Sequence, residues 1–135
     1  MIFVDSSAWV AVSDVRDGNH RAAIGFQKEL SRGRRGRLVT TDYVLDESLT
    51  LIRKRCGEQL VREFSDGLER SASVQQLWVT PEQYLQAREL FLAQGSHSWS
   101  FTDCTSFVVM REVGVRAAFT FDRDFREAGF DTNMP

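Results

Sequence analysis

Two cysteines, two histidines and two lysines among 135 residues exclude several kinds of chemistry before any motif is read. Cys56 and Cys104 stand far apart, with neither the paired spacing of a zinc site nor the density of a disulfide framework, and read as reduced, buried thiols. His20 and His97 share no motif, which argues against imidazole-bound zinc and against a Ser/His/Asp relay. No apolar run approaches membrane-spanning length. The short apolar start lacks the basic flank and small-residue cleavage site of a signal peptide, so the expected location is cytoplasmic, with no membrane association. Any catalysis must be carried by oxygen groups.

What is present describes an ordinary globular chain, 42% apolar and 11% aromatic, without repeats or low-complexity tracts. Its length suits a single domain over residues 1–135. The net charge of −2 gives no whole-molecule attraction to nucleic acid. Arginine dominates the cations, and it favours bidentate contact with phosphate or carboxylate. Arg32, Arg34, Arg35 and Arg37 crowd into "RGRRGR". That run reads either as a solvated turn whose cations suit a preceding helix C-terminus or as a phosphate-contacting patch.

Short apolar runs alternate with helix-period segments. "MIFVD", "RLVTT", "VQQLWV" and "VRAAFTF" read as strands. Helices are expected from about Ser6, through "HRAAIGFQKEL" up to Gly33, and through "DYVLDESLTLIRKR" with Asp42 as N-cap. "GEQLVREFSDGLER" forms a further amphipathic helix. "TPEQYLQARELFLAQG" carries a complete start signal, with Thr80 capping, Pro81 in the first turn, Gln83 closing a capping box and Gly95 ending it. "SFTDCTSFVVMREVG" is another helix, and "DRDFREAG" a short helical turn. The expected fold class is therefore α/β, a parallel central sheet covered by helices on both faces in a three-layer α/β/α sandwich. In such sheets ligands bind outside the carboxyl ends of the strands.

That rule gives weight to Asp5 and Asp122, each ending a strand. Glu47 lies at the margin of an apolar helix face between Val44 and Leu51, whereas Asp46 points to solvent. Asp103 shares a strip with Phe107 and Met110, and it also fits a capping box with Ser100. Each acid has a plain structural reading as a turn, a cap or a surface residue. Brought to one edge, the four would repel, and a like-charged pair at 4 Å costs about 4 kcal/mol at an effective dielectric of 20. No lysine stands at these motifs. A divalent cation would relieve the repulsion, and oxygen-only ligands suit Mg²⁺ or Mn²⁺. The implied chemistry is metal-assisted phosphodiester hydrolysis. Ser6 and Thr102 could hold waters beside the ion or act as helix N-caps. Trp9 and Trp99 could stack on bases, or pack inside.

"FVDSSAW", "TTDYVLDE", "SFTDCTSFVVM" and "TFDRDF", in this order over nearly the whole chain, resemble the PIN domain, and specifically the VapC ribonuclease toxins of bacterial toxin-antitoxin modules. The resemblance implies a homodimer, Mg²⁺- or Mn²⁺-dependent endonuclease action on structured RNA, and inhibition by a VapB-type antitoxin. It implies Asp5 and Asp103 as the principal metal ligands, with Glu47 and Asp122 completing the acidic pocket and Thr102 contributing a hydroxyl. Asp124 departs from the histidine often found in a "DRHF" version of the last motif, and adds a fifth acid or alters RNA contacts. An acidic edge needs flanking cations to hold phosphates, for which Arg32, Arg34, Arg35, Arg37, Arg53 and Arg55 are candidates. Two alternatives stay open: a PIN-like module that binds RNA or a partner without cutting, and a phosphoacceptor receiver domain. The latter would want a lysine near the last strands, but Lys28 and Lys54 both fall in helical segments.

Overall fold

The computed structural model of the chain describes residues 1–33 and 36–133. Four strands, β1 (Ile2–Val4), β2 (Leu38–Thr41), β3 (Val74–Leu77) and β4 (Ala117–Phe119), form one sheet in the order β3-β2-β1-β4. Every pairing is parallel. All strand carboxyl ends therefore meet at one edge, and Asp5 and Thr120 begin the loops that leave it.

The strands are short, and alternate residues serve opposite layers. Phe3 meets the ring of Phe125, which also contacts Phe107. Val4, Leu38, Val74 and Phe119 face the other way, lining a cavity of about 930 Å³ with α2 (His20–Ser31) and α4 (Glu58–Arg70). Both faces of the sheet are thus covered, as right-handed parallel crossovers require: successive steps in one direction put α2 and α4 on one side, and the return from β3 to β4 puts α6 (Phe101–Glu112) on the other. Phe3, Phe26, Phe107, Phe125, Ile52 and Met110 are fully buried, each stabilising the fold by roughly 1.5–3 kcal/mol.

The start signals are realised with one correction. α5 (Pro81–Leu92) opens with the Thr80–Gln83 capping box, and α6 with the reciprocal Ser100–Asp103 box. α3 (Asp42–Cys56) is capped by Thr41, not Asp42: the Thr41 hydroxyl accepts from the Val44 N–H at 3.2 Å. Asp42 is the first helical residue, and its carboxylate accepts from the Val79 N–H at 2.8 Å, tying α3 to the connection after β3. Gly57, at φ +88°, turns the chain from α3 into α4, a conformation that other residues adopt only with strain. α1 (Ser6–Ser13) and the short α7 (Asp124–Glu127) complete the set. Trp9 and Trp99 are both buried, which settles them as packing residues. No helix among the described residues is long and apolar enough to cross a membrane.

Candidate active site

Asp5 is the N-cap of α1, and its backbone N–H still pairs with the Phe119 carbonyl at 3.0 Å. One carboxylate oxygen accepts from the Ser7 N–H (3.2 Å), the Ser7 hydroxyl (2.7 Å) and the Thr120 hydroxyl (3.1 Å). The other oxygen receives a long 3.5 Å contact from the Ser6 hydroxyl. Burial raises the Asp5 pKa, and these hydrogen bonds oppose the rise. The Thr120 hydroxyl also accepts from the Asp122 N–H at 2.9 Å, so one side chain joins Asp5 at the end of β1 to Asp122 in the loop after β4, which stops short of it at Phe119.

Asp103 is buried at the start of α6, where one oxygen accepts the Ser100 N–H at 2.8 Å. The cap and cleft readings of this residue are both true. Burial pushes its pKa up to about 7, the charges of Asp5 and Asp122 add to that, and the Ser100 hydrogen bonds pull against it. Asp122 accepts the Asp124 N–H at 2.9 Å, an Asx turn that brings the next acid back toward it. Asp124 is raised by burial and by Asp122 and Glu127, against Arg123 and His97.

Glu47 reaches the group from α3, half-buried as its helical position implies, while Asp46 is exposed. The Ser6 hydroxyl donates to Glu47 at 2.5 Å, so Ser6 is not the N-cap; that position belongs to Asp5. A cleft of about 630 Å³ at the carboxyl edge of the sheet is lined by Asp5, Ser6, Glu47, Asp103, Asp122 and Asp124 together. Thr102 is not among its lining residues; the hydroxyls of Thr105 and Ser106 donate to the Thr102 carbonyl.

Asp103, Asp122 and Asp124 each offer an oxygen within 4.8 Å of the others. Ligand oxygens on one Mg²⁺ lie at most about 4.2 Å apart, twice the metal–oxygen distance of about 2.1 Å. Little contraction would enclose an ion, and an all-oxygen donor set fits a hard divalent cation. Asp5 and Glu47 stand outside this trio on the same cleft.

The arginines divide sharply. Arg34 and Arg35 lie outside the described residues. Arg37 precedes β2, its carbonyl accepting from the Ile2 N–H, and Arg32 ends α2. Both therefore sit toward the amino edge of the sheet, opposite the acids, and do not flank the cleft. The reason is topological: a helix returning from the carboxyl edge must end at the amino edge before the next parallel strand begins. Arg53 approaches Glu58 at 4.0 Å, whereas Arg55 lines the cleft. No lysine lines it, so the receiver-type reading has no counterpart here.

Sequence reasoning missed Ser7, Thr120 and Asp17, of which Ser7 and Asp17 line the cleft. For Thr120 and Asp17 the available signal was local, a hydroxyl or carboxylate two residues before a loop N–H closing an ST or Asx turn, whereas Ser7 meets Thr120 and Phe121 from the far end of the chain.

The PIN domain family matches residues 2–131. Two curated relatives, each named 23S rRNA-specific endonuclease VapC20, come from two Mycobacterium tuberculosis strains; both are 36% identical over 130 residues, covering 96% of this chain and 95% of the relative. The VapC ribonuclease of Archaeoglobus fulgidus is 25% identical over 114 residues, 84% of this chain and 72% of that protein. A crystal structure of Mycobacterium tuberculosis VapC20, described as a Sarcin-Ricin loop cleaving toxin, matches with a TM-score of 0.89 and 34% identity over 100% of both chains.

Proposed function

The chain belongs to the PIN domain family, and on that premise we propose that it is a Mg²⁺- or Mn²⁺-dependent endoribonuclease toxin, a single domain that hydrolyses RNA phosphodiester bonds in the cytoplasm and is neutralised by a VapB-type antitoxin. One observation carries the reading: carboxylates from separate elements share a cleft with raised pKa values at Asp5, Asp103 and Asp124. A fold that only bound RNA would gain nothing from that repulsion.

Asp103, Asp122 and Asp124 are the residues closest to a metal-binding geometry, with Asp5 beside them. When bound, a divalent ion supplies positive charge for the attacked phosphate and acidifies water. Three donors on one Asp5 oxygen and the amino end of α1 oppose the rise that burial causes in its pKa and fix the direction in which the carboxylate points. Glu47 has one donor, Ser6, which orients it. We assign Glu47 the task of taking the proton from the attacking water, and Ser6 and Thr120 the task of holding the acids in place.

The relatives named for 23S rRNA make that RNA the first substrate to try. Purified protein is incubated with 23S rRNA, with and without Mg²⁺, beside an Asp103→Asn control. Discrete fragments that need both metal and the wild-type chain are expected; metal-independent cutting, or equal cutting by the variant, rejects the assignment.

A further inference from the structure

A cleft lined by acids must still hold a phosphate chain, and among the described residues its cations are Arg55 and Arg123. They differ in how they are held. The Arg123 side chain is 88% exposed, with Glu127 at 3.9 Å. The Arg55 guanidinium donates to Asp17 at 3.2 Å, and the Asp17 side chain is only 15% exposed.

Asp17 is itself anchored. Its other oxygen accepts the Asn19 N–H at 2.8 Å, its N–H donates to the Asp14 carbonyl, and its carbonyl accepts from the His20 N–H. Buried Asp14 accepts the Arg16 N–H at 3.0 Å, and the Arg16 guanidinium donates to the carbonyl of Arg55. The connection between α1 and α2 is thereby strapped to the end of α3, with Arg55 held at both its backbone and its side chain.

Resting on the nuclease reading, we propose that Arg55 is the fixed phosphate-binding residue on the α3 side of the cleft and that Asp17 is its positioning residue. A guanidinium has five N–H donors in a planar fork. Asp17 engages one terminal nitrogen, leaving donors for a phosphate oxygen, and an arginine already held in place loses less freedom when RNA binds. The alternative, that Asp17 is one more acid repelling RNA, makes the opposite prediction for its neutralisation.

The test is binding of a fluorescein-labelled synthetic RNA hairpin across a salt series, in an Asp103→Asn background that prevents cleavage. Arg55→Ala should weaken binding about tenfold and lower the slope of log affinity against log salt by about 0.7–0.9, one phosphate contact. Arg55→Lys keeps the charge without the fork and should fall between. Asp17→Asn should weaken binding several-fold although it removes a negative charge, Asp17→Glu should restore much of the loss, and Asp17→Asn with Arg55→Ala should bind no worse than Arg55→Ala alone. Melting temperatures identify any variant that has unfolded, and the exposed Arg55→Lys change keeps the comparison available if Asp17→Asn does. Tighter binding by Asp17→Asn, or an unchanged slope in Arg55→Ala while the parent binds, overturns the clamp and leaves the nuclease reading standing. A parent that binds no RNA while wild type cuts none overturns both.

Discussion

Asp103 closes the capping box of α6 and also faces the charges of Asp5 and Asp122, so substitutions there separate two energies. Its folded pKa of about 7 lies above the ordinary 3.8. A raised value means that the folded state binds the proton more tightly, so this stabilising contribution is complete below about pH 3.8 and is lost as pH rises through about 7. Asparagine keeps an oxygen for the Ser100 N–H and carries no charge. In metal-free protein Asp103→Asn is expected to melt higher than wild type at pH 8, with the gap closing toward pH 5. Asp103→Ala also loses the cap, about 1 kcal/mol, and should melt below Asp103→Asn at both pH values. Thermal melts in chelator check this; an asparagine variant less stable at pH 8 than at pH 5, relative to wild type, contradicts it. Thr120 offers a second test. Thr120→Val keeps the shape but strips a donor from Asp5 and the acceptor of the Asp122 N–H. A loss of about 1–3 kcal/mol in urea unfolding is expected, with RNA cleavage falling as Asp5 and Asp122 lose their common support.

Parallel topology separates the two charged segments at the level of elements. The carboxylates gather where strands end, whereas Arg32 and Arg37 sit where β2 begins. Four residues of strand span roughly 13 Å, beyond the screening length of about 8 Å at physiological salt. Joint replacement of Arg32 and Arg37 by glutamine should therefore leave the salt slope of RNA binding unchanged, in contrast to Arg55→Ala; a shallower slope would show that RNA reaches around to the amino edge. The same distinction explains what could be read from residue order. Caps such as Thr80–Gln83 and Ser100–Asp103, and the strand end at Asp5, are local patterns and appear where expected, whereas β4 stops at Phe119 and Asp122 lies three residues beyond it, in the loop that lines the cleft. The strand order told which edge the acids share. The approach of Asp17 to Arg55, 38 positions apart, and of Ser6 to Glu47, 41 apart, depends on how helices cross at the top of the sheet. No periodicity encodes those pairs. Arg32 and Arg37 come before β2 in the chain, and in an all-parallel sheet that places them at the edge opposite the acids, as the solvated-turn reading of the run allows.

For the whole molecule, the proposed metal dependence makes folding and metal binding one coupled equilibrium. An ion that binds only the folded chain raises stability by RT ln(1 + [L]/Kd), about 2.7 kcal/mol at a hundredfold excess over Kd. Because the ligand carboxylates must first lose protons, and Asp103 releases its own only near pH 7, Mn²⁺ or Mg²⁺ should raise the melting temperature more at pH 8 than at pH 6. Asp124→Asn should shrink that shift if Asp124 completes the set with Asp103 and Asp122; Glu47, outside the trio, should matter less to the shift than to cleavage. The homodimer proposed by resemblance has a surface to test as well. Trp78, Leu85 and Leu92, on β3's exit and on α5, are 72%, 58% and 64% exposed. Leu85 and Leu92, seven positions apart on α5, share one helix face, an exposed apolar pair on which the dimer reading can be tested. Leu85→Glu with Leu92→Glu should convert the dimer to a monomer in light scattering. Both positions lie outside the cleft-lining residues, so RNA cleavage per chain should persist unless the second copy helps hold the substrate. Loss of cleavage in a folded monomer would make the dimer part of the substrate site, whereas an unchanged dimer would move the interface away from α5.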